Sequence, residues 1–167
     1  MTTYYTTMES PVGTLVLVSD GASLTMLQRD SSRYPVSIGG DWIDDVNAAP
    51  FPETRRQLEE YFAGRLTDFD LPLAPKGTAF QMSVWDELLK IGYGTTASYG
   101  EVARRLGNPN AMRAVGLANG QNPIGIVIPC HRVIGANGTL TGYAGGLSMK
   151  KTLLDLETSG AGLFAKS

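Results

Sequence analysis

The chain's one cysteine, Cys130, is followed directly by its one histidine, His131, inside the run Pro129-Cys130-His131-Arg132-Val133. A thiolate is a strong nucleophile, but a thiol with an ordinary pKa of ~8.5 is ionised only to a few per cent at neutral pH. It needs a neighbouring base or a positive field, and His131 and Arg132 are the local candidates. The apolar stretch at residues 124–128 reads as a buried strand leading into Cys130. On a strand, consecutive side chains face opposite ways, so His131 meets the sulfur only if the chain bends or a water carries the proton. A histidine used in that way needs a partner to fix its tautomer, and Glu157, towards the end of the last expected helix, is an available carboxylate. The plain alternatives are a small buried cysteine, a hydrogen-bonded structural histidine and a solvated acid at a helix end.

Composition bounds what can hold these groups. The chain has 167 residues, 43% hydrophobic and 18% charged, enough apolar material for one packed domain or two small ones. Its apolar runs are too short to span a bilayer, and its first residues lack a basic segment followed by an apolar one, so a soluble, cytoplasmic chain is expected. One cysteine cannot form an internal disulfide, which suits a reducing compartment, and one cysteine with one histidine leaves no ordinary zinc set. The net charge of −2 conceals an asymmetry. Residues 1–77 carry six basic and eleven acidic side chains, a net −5, whereas residues 78–167 carry eight basic and five acidic, a net +3. A mildly basic half beside an acidic one suits a polyanion on one face, although ordinary scatter produces the same numbers.

The elements follow from local signals. Residues 13–19 and 22–26 read as strands joined by a two-residue Asp20-Gly21 hairpin. Residues 30–50 lack a period and read as surface loop, and residues 52–63 read as an amphipathic helix carrying Leu58, Tyr61 and Phe62. Residues 70–76, with two prolines, are the expected linker between a domain at 1–77 and a second at 78–167. Thr78 with Gln81, and Ser98 with Glu101, form capping boxes opening two helices. The first carries Phe80, Val84, Trp85, Leu88 and Leu89 as its apolar stripe, and Gly107 suits the end of the second. Asn108-Pro109 supplies a cap and first residue for a helix over 110–119, completing a helix-turn-helix. A hairpin at Asn137-Gly138 resembles the wing of a winged helix, and Ser148 caps a last helix to Glu157.

Pro129-Cys130-His131-Arg132-Val133, together with Ser98-Tyr99-Gly100-Glu101, Arg113-Ala114-Val115-Gly116, Ala118-Asn119, Asn122-Pro123, Tyr143-Ala144-Gly145-Gly146, Leu153-Leu154 and Glu157, resembles the methylated-DNA–protein-cysteine methyltransferases. The resemblance implies an α/β (α+β) chain: a ribonuclease-H-like three-stranded sheet plus helix, then a winged helix-turn-helix-like domain carrying the site. It implies that Cys130 takes an alkyl group from O-6 of guanine, and from O-4 of thymine, once and irreversibly. It makes His131 a water-mediated base oriented by Glu157, Asn122 a hinge, and Tyr99 the donor that protonates the departing base. Arg113 would replace the extruded base, with Ala114, Gly116, Tyr99, Gly100 and Asn108 on the DNA face and Tyr143, Ala144 and Gly145 walling the base pocket. No cofactor and no metal are implied. The partner implied is double-stranded DNA with an alkylated guanine, bound by a monomer, with assembly of several copies along DNA left open. Ala144 stands where some relatives have a pocket serine, which bears on alkyl size. Two other readings compete: a cysteine hydrolase that turns over, and a winged-helix damage sensor without chemistry.

Overall fold

The computed structural model describes residues 2–32, 35–136, 138 and 146–159. Its first half is a sheet with one helix. Strands β1 (Tyr4–Met8), β2 (Leu15–Ser19) and β3 (Leu24–Arg29) are antiparallel neighbours, and β4 (Ile43–Asp44) adds to β1 in parallel, giving the order β3-β2-β1-β4. The sheet therefore has four strands where three were expected, and the fourth lies inside the stretch read as loop. Two residues are too few to leave a period, and β4 is fixed instead by backbone bonds from Ile43 to Thr3 and from Asp45 to Tyr5. The β2–β3 connection is longer than the expected two residues, because the Asp20 side chain accepts from the Ala22 and Ser23 amides and widens the tip.

Helix α1 (Phe51–Phe62) has a proline in its first turn and buries Phe51, Leu58, Tyr61 and Phe62. The expected linker is anchored rather than free. Leu24 donates to Pro72, Ala74 donates back to Leu24, and the Gln57 amide brackets the Asp70 backbone.

The second half is helical. Both capping boxes form: Thr78 and Gln81 open α2 (Ala79–Leu88), and Ser98 and Glu101 open α3 (Tyr99–Arg105). Each box satisfies two backbone donors that a helix start leaves unpaired, an effect of about 1 kcal/mol for the cap residue. Gly107 sits just past α3 with φ of +76°, where a glycine is unstrained. Three expectations change. Leu89 caps α2 and lies exposed, so it leaves the apolar stripe. Asn108-Pro109 does not cap the next helix: Ala111 donates to the Asn108 carbonyl in a turn, and α4 (Met112–Gly120) begins after it with Ala111 at its cap. Ser148 lies inside α5 (Leu147–Ser159), where Lys150 already donates to the Gly146 carbonyl.

Residues 124–128 are not a strand. Ile124 forms one bridge to Leu27 of β3, then the chain folds over itself with Ile126 at φ of +70° and the Ile128 amide returning to the Ile124 carbonyl. A buried turn and a buried strand are equally apolar, so composition could not separate them. Beyond the turn, Cys130–Arg132 form one turn of 3-10 helix, and β6 (Val133–Ile134) pairs in parallel with β5 (Ala97–Ser98). The hairpin expected at Asn137-Gly138 lies mostly outside the described residues. One apolar cluster runs through both halves, from Leu15, Leu27 and Tyr61 to Trp85, Ile124, Cys130 and Leu153. No helix among the described residues is long and apolar enough to cross a membrane.

Candidate active site

Asn122 builds the turn that presents Cys130. Its side-chain NH2 donates to the Ile128 carbonyl at 2.8 Å and its side-chain oxygen accepts from the Ile124 amide at 3.0 Å. One amide thus replaces the ladder bonds that a strand would have supplied, and it is buried. Beneath it, Gln28 of β3 donates to the Asn122 carbonyl at 2.7 Å.

Cys130 is buried and its thiol is free of any disulfide. Burial pushes its pKa up to about 11, with a hydrogen bond from Asn122 and the charge of Lys150 pulling the other way. At neutral pH the resting group is a thiol, and its proton must go elsewhere when it attacks.

His131 is fully buried, and its Nε2 lies 2.6 Å from Glu157 Oε2. Burial lowers the imidazole pKa against the opposing pull of Glu157, so the ring is neutral and Glu157 is the anion. The carboxylate then holds the proton on Nε2, leaving a lone pair on Nδ1. That atom is buried and has no hydrogen-bond partner among the described residues. Of the two alternatives, a bend or a bridging water, the bend is present at Cys130 as the 3-10 turn, where successive side chains diverge by about 120°.

Glu157 gathers a buried network. Its Oε1 accepts from Arg132 Nε at 2.8 Å and from the Gly94 amide at 3.4 Å, and its Oε2 accepts from Arg132 Nη2 at 3.1 Å and the Tyr61 hydroxyl at 2.6 Å. Burial alone would raise the carboxyl pKa, yet the bonds from His131, Arg132 and Tyr61 hold it at about 2. Arg132 also donates to the Ile91 carbonyl at 2.6 Å and lies 5.8 Å from the Tyr93 ring centre. Gly94, at φ of +75°, passes so close that a Cβ there would meet the Glu157 carbonyl at 3.3 Å.

Three members of this network were not anticipated in these roles. Arg132 was a candidate activator of the thiol, but its charge is committed to Glu157. The cation that acts on Cys130 is Lys150, fully buried on α5, donating to the Val133 carbonyl at 2.5 Å and lowered by burial to about 8. Its signal was legible: Lys150 and Glu157, seven residues apart, share the apolar face of α5 with Leu153. Tyr61 left no signal beyond its place in an apolar stripe.

The other expected residues divide in two. Arg113 and Ala114 are exposed on the first turns of α4, with Leu117 exposed one turn on from Arg113. Tyr99, half-buried at the start of α3, lays its ring against Gly116, where a Cβ would stand 3.7 Å from it. Gly100 lies near the sulfur of Met112 in the same helix pair, and Asn108 is exposed in the turn between the helices. Tyr143, Ala144 and Gly145 lie outside the described residues. Among the described residues, no group of three His, Cys, Asp or Glu side chains could hold a metal ion.

Comparison with known proteins finds one family matching both halves of the chain. Residues 79–159 match the family model described as 6-O-methylguanine DNA methyltransferase, DNA binding domain, and residues 3–75 match the model of its ribonuclease-like domain. The methylated-DNA–protein-cysteine methyltransferase of Methanosarcina acetivorans is 52% identical over 93% of this chain and 99% of its own. The protein of that name from Mycobacterium tuberculosis is 52% identical over 95% of this chain and 94% of its own. Among solved structures, Mycobacterium tuberculosis OGT in complex with DNA superposes with a TM-score of 0.88 at 49% identity, covering 96% of each chain.

Proposed function

The chain belongs to the methylated-DNA–protein-cysteine methyltransferase family, and on that premise we propose that it repairs alkylated DNA by drawing the alkyl group from O-6 of guanine onto Cys130. The observation that carries the reading is the buried trio of Cys130, His131 and Glu157. A neutral imidazole, its Nε2 proton held by a carboxylate, keeps its basic Nδ1 on the residue next to the nucleophile.

The step balances without a cofactor. The thiol proton passes through a bridging water to His131 Nδ1. The sulfur forms a bond to the alkyl carbon as the bond from that carbon to O-6 breaks, and the electron pair goes to the base. Tyr99 gives its phenol proton to N3, so guanine leaves neutral, and the proton on His131 returns to Tyr99 through solvent. The product is a thioether, which has no easy return to a thiol, so each molecule acts once. Thymine alkylated at O-4 presents the same kind of carbon and leaving oxygen.

A thiolate cannot reach the lesion inside a duplex, so the base is extruded, at a cost that damage lowers. Arg113, exposed on a helix that also carries Ala114 and Gly116, fills the gap from the minor groove. On this reading residues 78–167 carry chemistry and DNA contact, residues 1–77 support them, and a monomer acts in the reducing cytoplasm, where a lone thiol persists.

The test is an intact-protein mass after mixing with a duplex holding one 6-O-methylguanine, followed by peptide mapping. One methyl group on the Cys130 peptide, saturating at one per protein, is expected. An unchanged mass with the lesion still bound would leave a damage sensor, and an unchanged mass without binding would refute the DNA reading.

A further inference from the structure

Tyr61 belongs to α1, in the half of the chain that carries none of the expected chemistry, and lies 96 residues before Glu157, yet its hydroxyl donates to Glu157 Oε2 at 2.6 Å. That is the oxygen holding His131 Nε2, also at 2.6 Å. The phenol is fixed on all sides. It is fully buried, with ring centres of Phe69 at 5.2 Å, Phe62 at 5.5 Å and Tyr93 at 6.3 Å. Burying a hydroxyl is costly unless it is hydrogen-bonded, so the ring's packing and its bond to the carboxylate enforce each other.

We propose that Tyr61 is a positioning residue for the proton step, through which the N-terminal half sets the orientation of Glu157 and the tautomer and basicity of His131. The inference rests on the alkyl-transfer reading for its consequence, though not for its principal test. Every donor on Oε2 draws charge away from the atom facing the imidazole, so the Tyr61 proton weakens the pull of Glu157 on a proton at His131. The other charged or titratable groups at this site are Cys130 and Arg132 from the 3-10 turn, Tyr93 from the segment after α2, and Lys150 and Glu157 itself from α5. Among the described residues, Tyr61 is the one hydrogen-bond donor to Glu157 that comes from the N-terminal half. A second tie from that half, the bonds of Leu27 and Gln28 to residues 123–125 and to the Asn122 carbonyl, holds the Cys130 turn against β3. Both the nucleophile's turn and the base's partner are therefore referenced to the same sheet-and-helix unit.

The chain has one histidine, so nitrogen-15 labelling reads His131 alone, in free protein and without DNA. In Tyr61→Phe, which keeps the ring, the imidazole pKa is expected to rise by about 0.5–1 unit as Oε2 regains charge. Methyl transfer should slow about tenfold, the lower end for loss of an outer hydrogen-bond partner, and its acid limb should move to higher pH. Phe62→Leu loosens the same packing without touching a polar atom; it should lower Tm and leave the imidazole titration in place. Should Tyr61→Phe not fold, the wild-type Tyr61 hydroxyl proton is read directly, and it should shift as His131 titrates. An unchanged imidazole titration in folded Tyr61→Phe, or a wild-type hydroxyl resonance blind to His131, would overturn the inference. Wild-type protein that accepts no methyl group would remove the alkyl-transfer reading while leaving the titration test intact.

Discussion

Replacing His131 with glutamine tests whether the thiol proton leaves through the imidazole. Burial sets the Cys130 pKa at about 11, against a smaller opposing effect of Asn122 and Lys150. At pH 7 such a thiol is ionised to roughly one part in 10⁴, so reaching the thiolate unaided costs about 5 kcal/mol at 1.36 kcal/mol per unit. A positioned general base typically recovers ~10²–10⁴-fold in rate, so H131Q should lose about that much at pH 7. The pH profile discriminates further. Without the base, the nucleophile arises only by prior ionisation, and the H131Q rate should climb about tenfold per pH unit between about 7 and 10. The wild-type rate should not climb there, because burial already keeps the imidazole neutral, and it should dip modestly as Lys150 loses its charge near 8. The two rates therefore converge at high pH, which a misfolded variant would not reproduce. The assay is single-turnover transfer from a labelled duplex, quenched by acid at each pH. A flat H131Q profile, or a rate within about threefold of wild type at pH 7, would refute a proton path through His131.

Other expectations follow from the same geometry. Lys150→Met removes the cation that acts on Cys130, so transfer should slow several-fold at pH 7; because Lys150 itself titrates near 8, the difference should narrow by pH 9, and a gap independent of pH would count against an electrostatic role. The Glu157 carboxyl, at about 2 when folded and near 4.5 otherwise, contributes stability that is fully present above its unfolded pKa and is lost as pH falls from about 4.5 towards 2. The contribution is on the order of 3 kcal/mol, so urea unfolding of Glu157→Gln should show a shallower acid decline than wild type, and parallel curves would exclude it. Arg113→Ala should weaken repair of duplex lesions by about 1–3 kcal/mol, the scale of one DNA contact. It should leave transfer from the free base 6-O-methylguanine unchanged, and equal losses on both substrates would place Arg113 in the chemistry instead.

Local signals were legible where a fixed offset decides the structure. The two capping boxes formed because Thr78 with Gln81, and Ser98 with Glu101, satisfy backbone groups within four residues and need nothing from the rest of the fold. Glu157 could be chosen because it is an available carboxylate towards the end of the last expected helix and matches the family resemblance. What was not legible depended on tertiary partners. Tyr61 looked like any aromatic of an amphipathic stripe, and nothing in its neighbourhood points to a carboxylate 96 residues away. The apolar run at 124–128 became a turn because Asn122, Pro123 and Gly125 precede or interrupt it. The Asn122 side chain takes over the bonding that a sheet neighbour would have given.

That error bears on the chemistry. The strand reading kept His131 away from the sulfur by alternation, with side chains on opposite faces. In the 3-10 turn the separation survives for a different reason, because adjacent side chains diverge by about 120° around a helical axis rather than 180° across a sheet. The difference matters for where the imidazole goes. A residue flipped to the far side of a strand would have faced another layer of the core, cut off from Cys130 by the backbone. A residue one-third of a turn away reaches α5 with Nε2, and its buried Nδ1 is left without a hydrogen-bond partner among the described residues. On the proposed proton path, adjacency in sequence, which looked like an obstacle to a nucleophile and its base, becomes usable because the backbone coils at Cys130. The coil in turn requires the Asn122 amide to end the preceding turn at Ile128. A substitution at Asn122 should therefore impair proton removal even though the residue does not lie on the path of the proton.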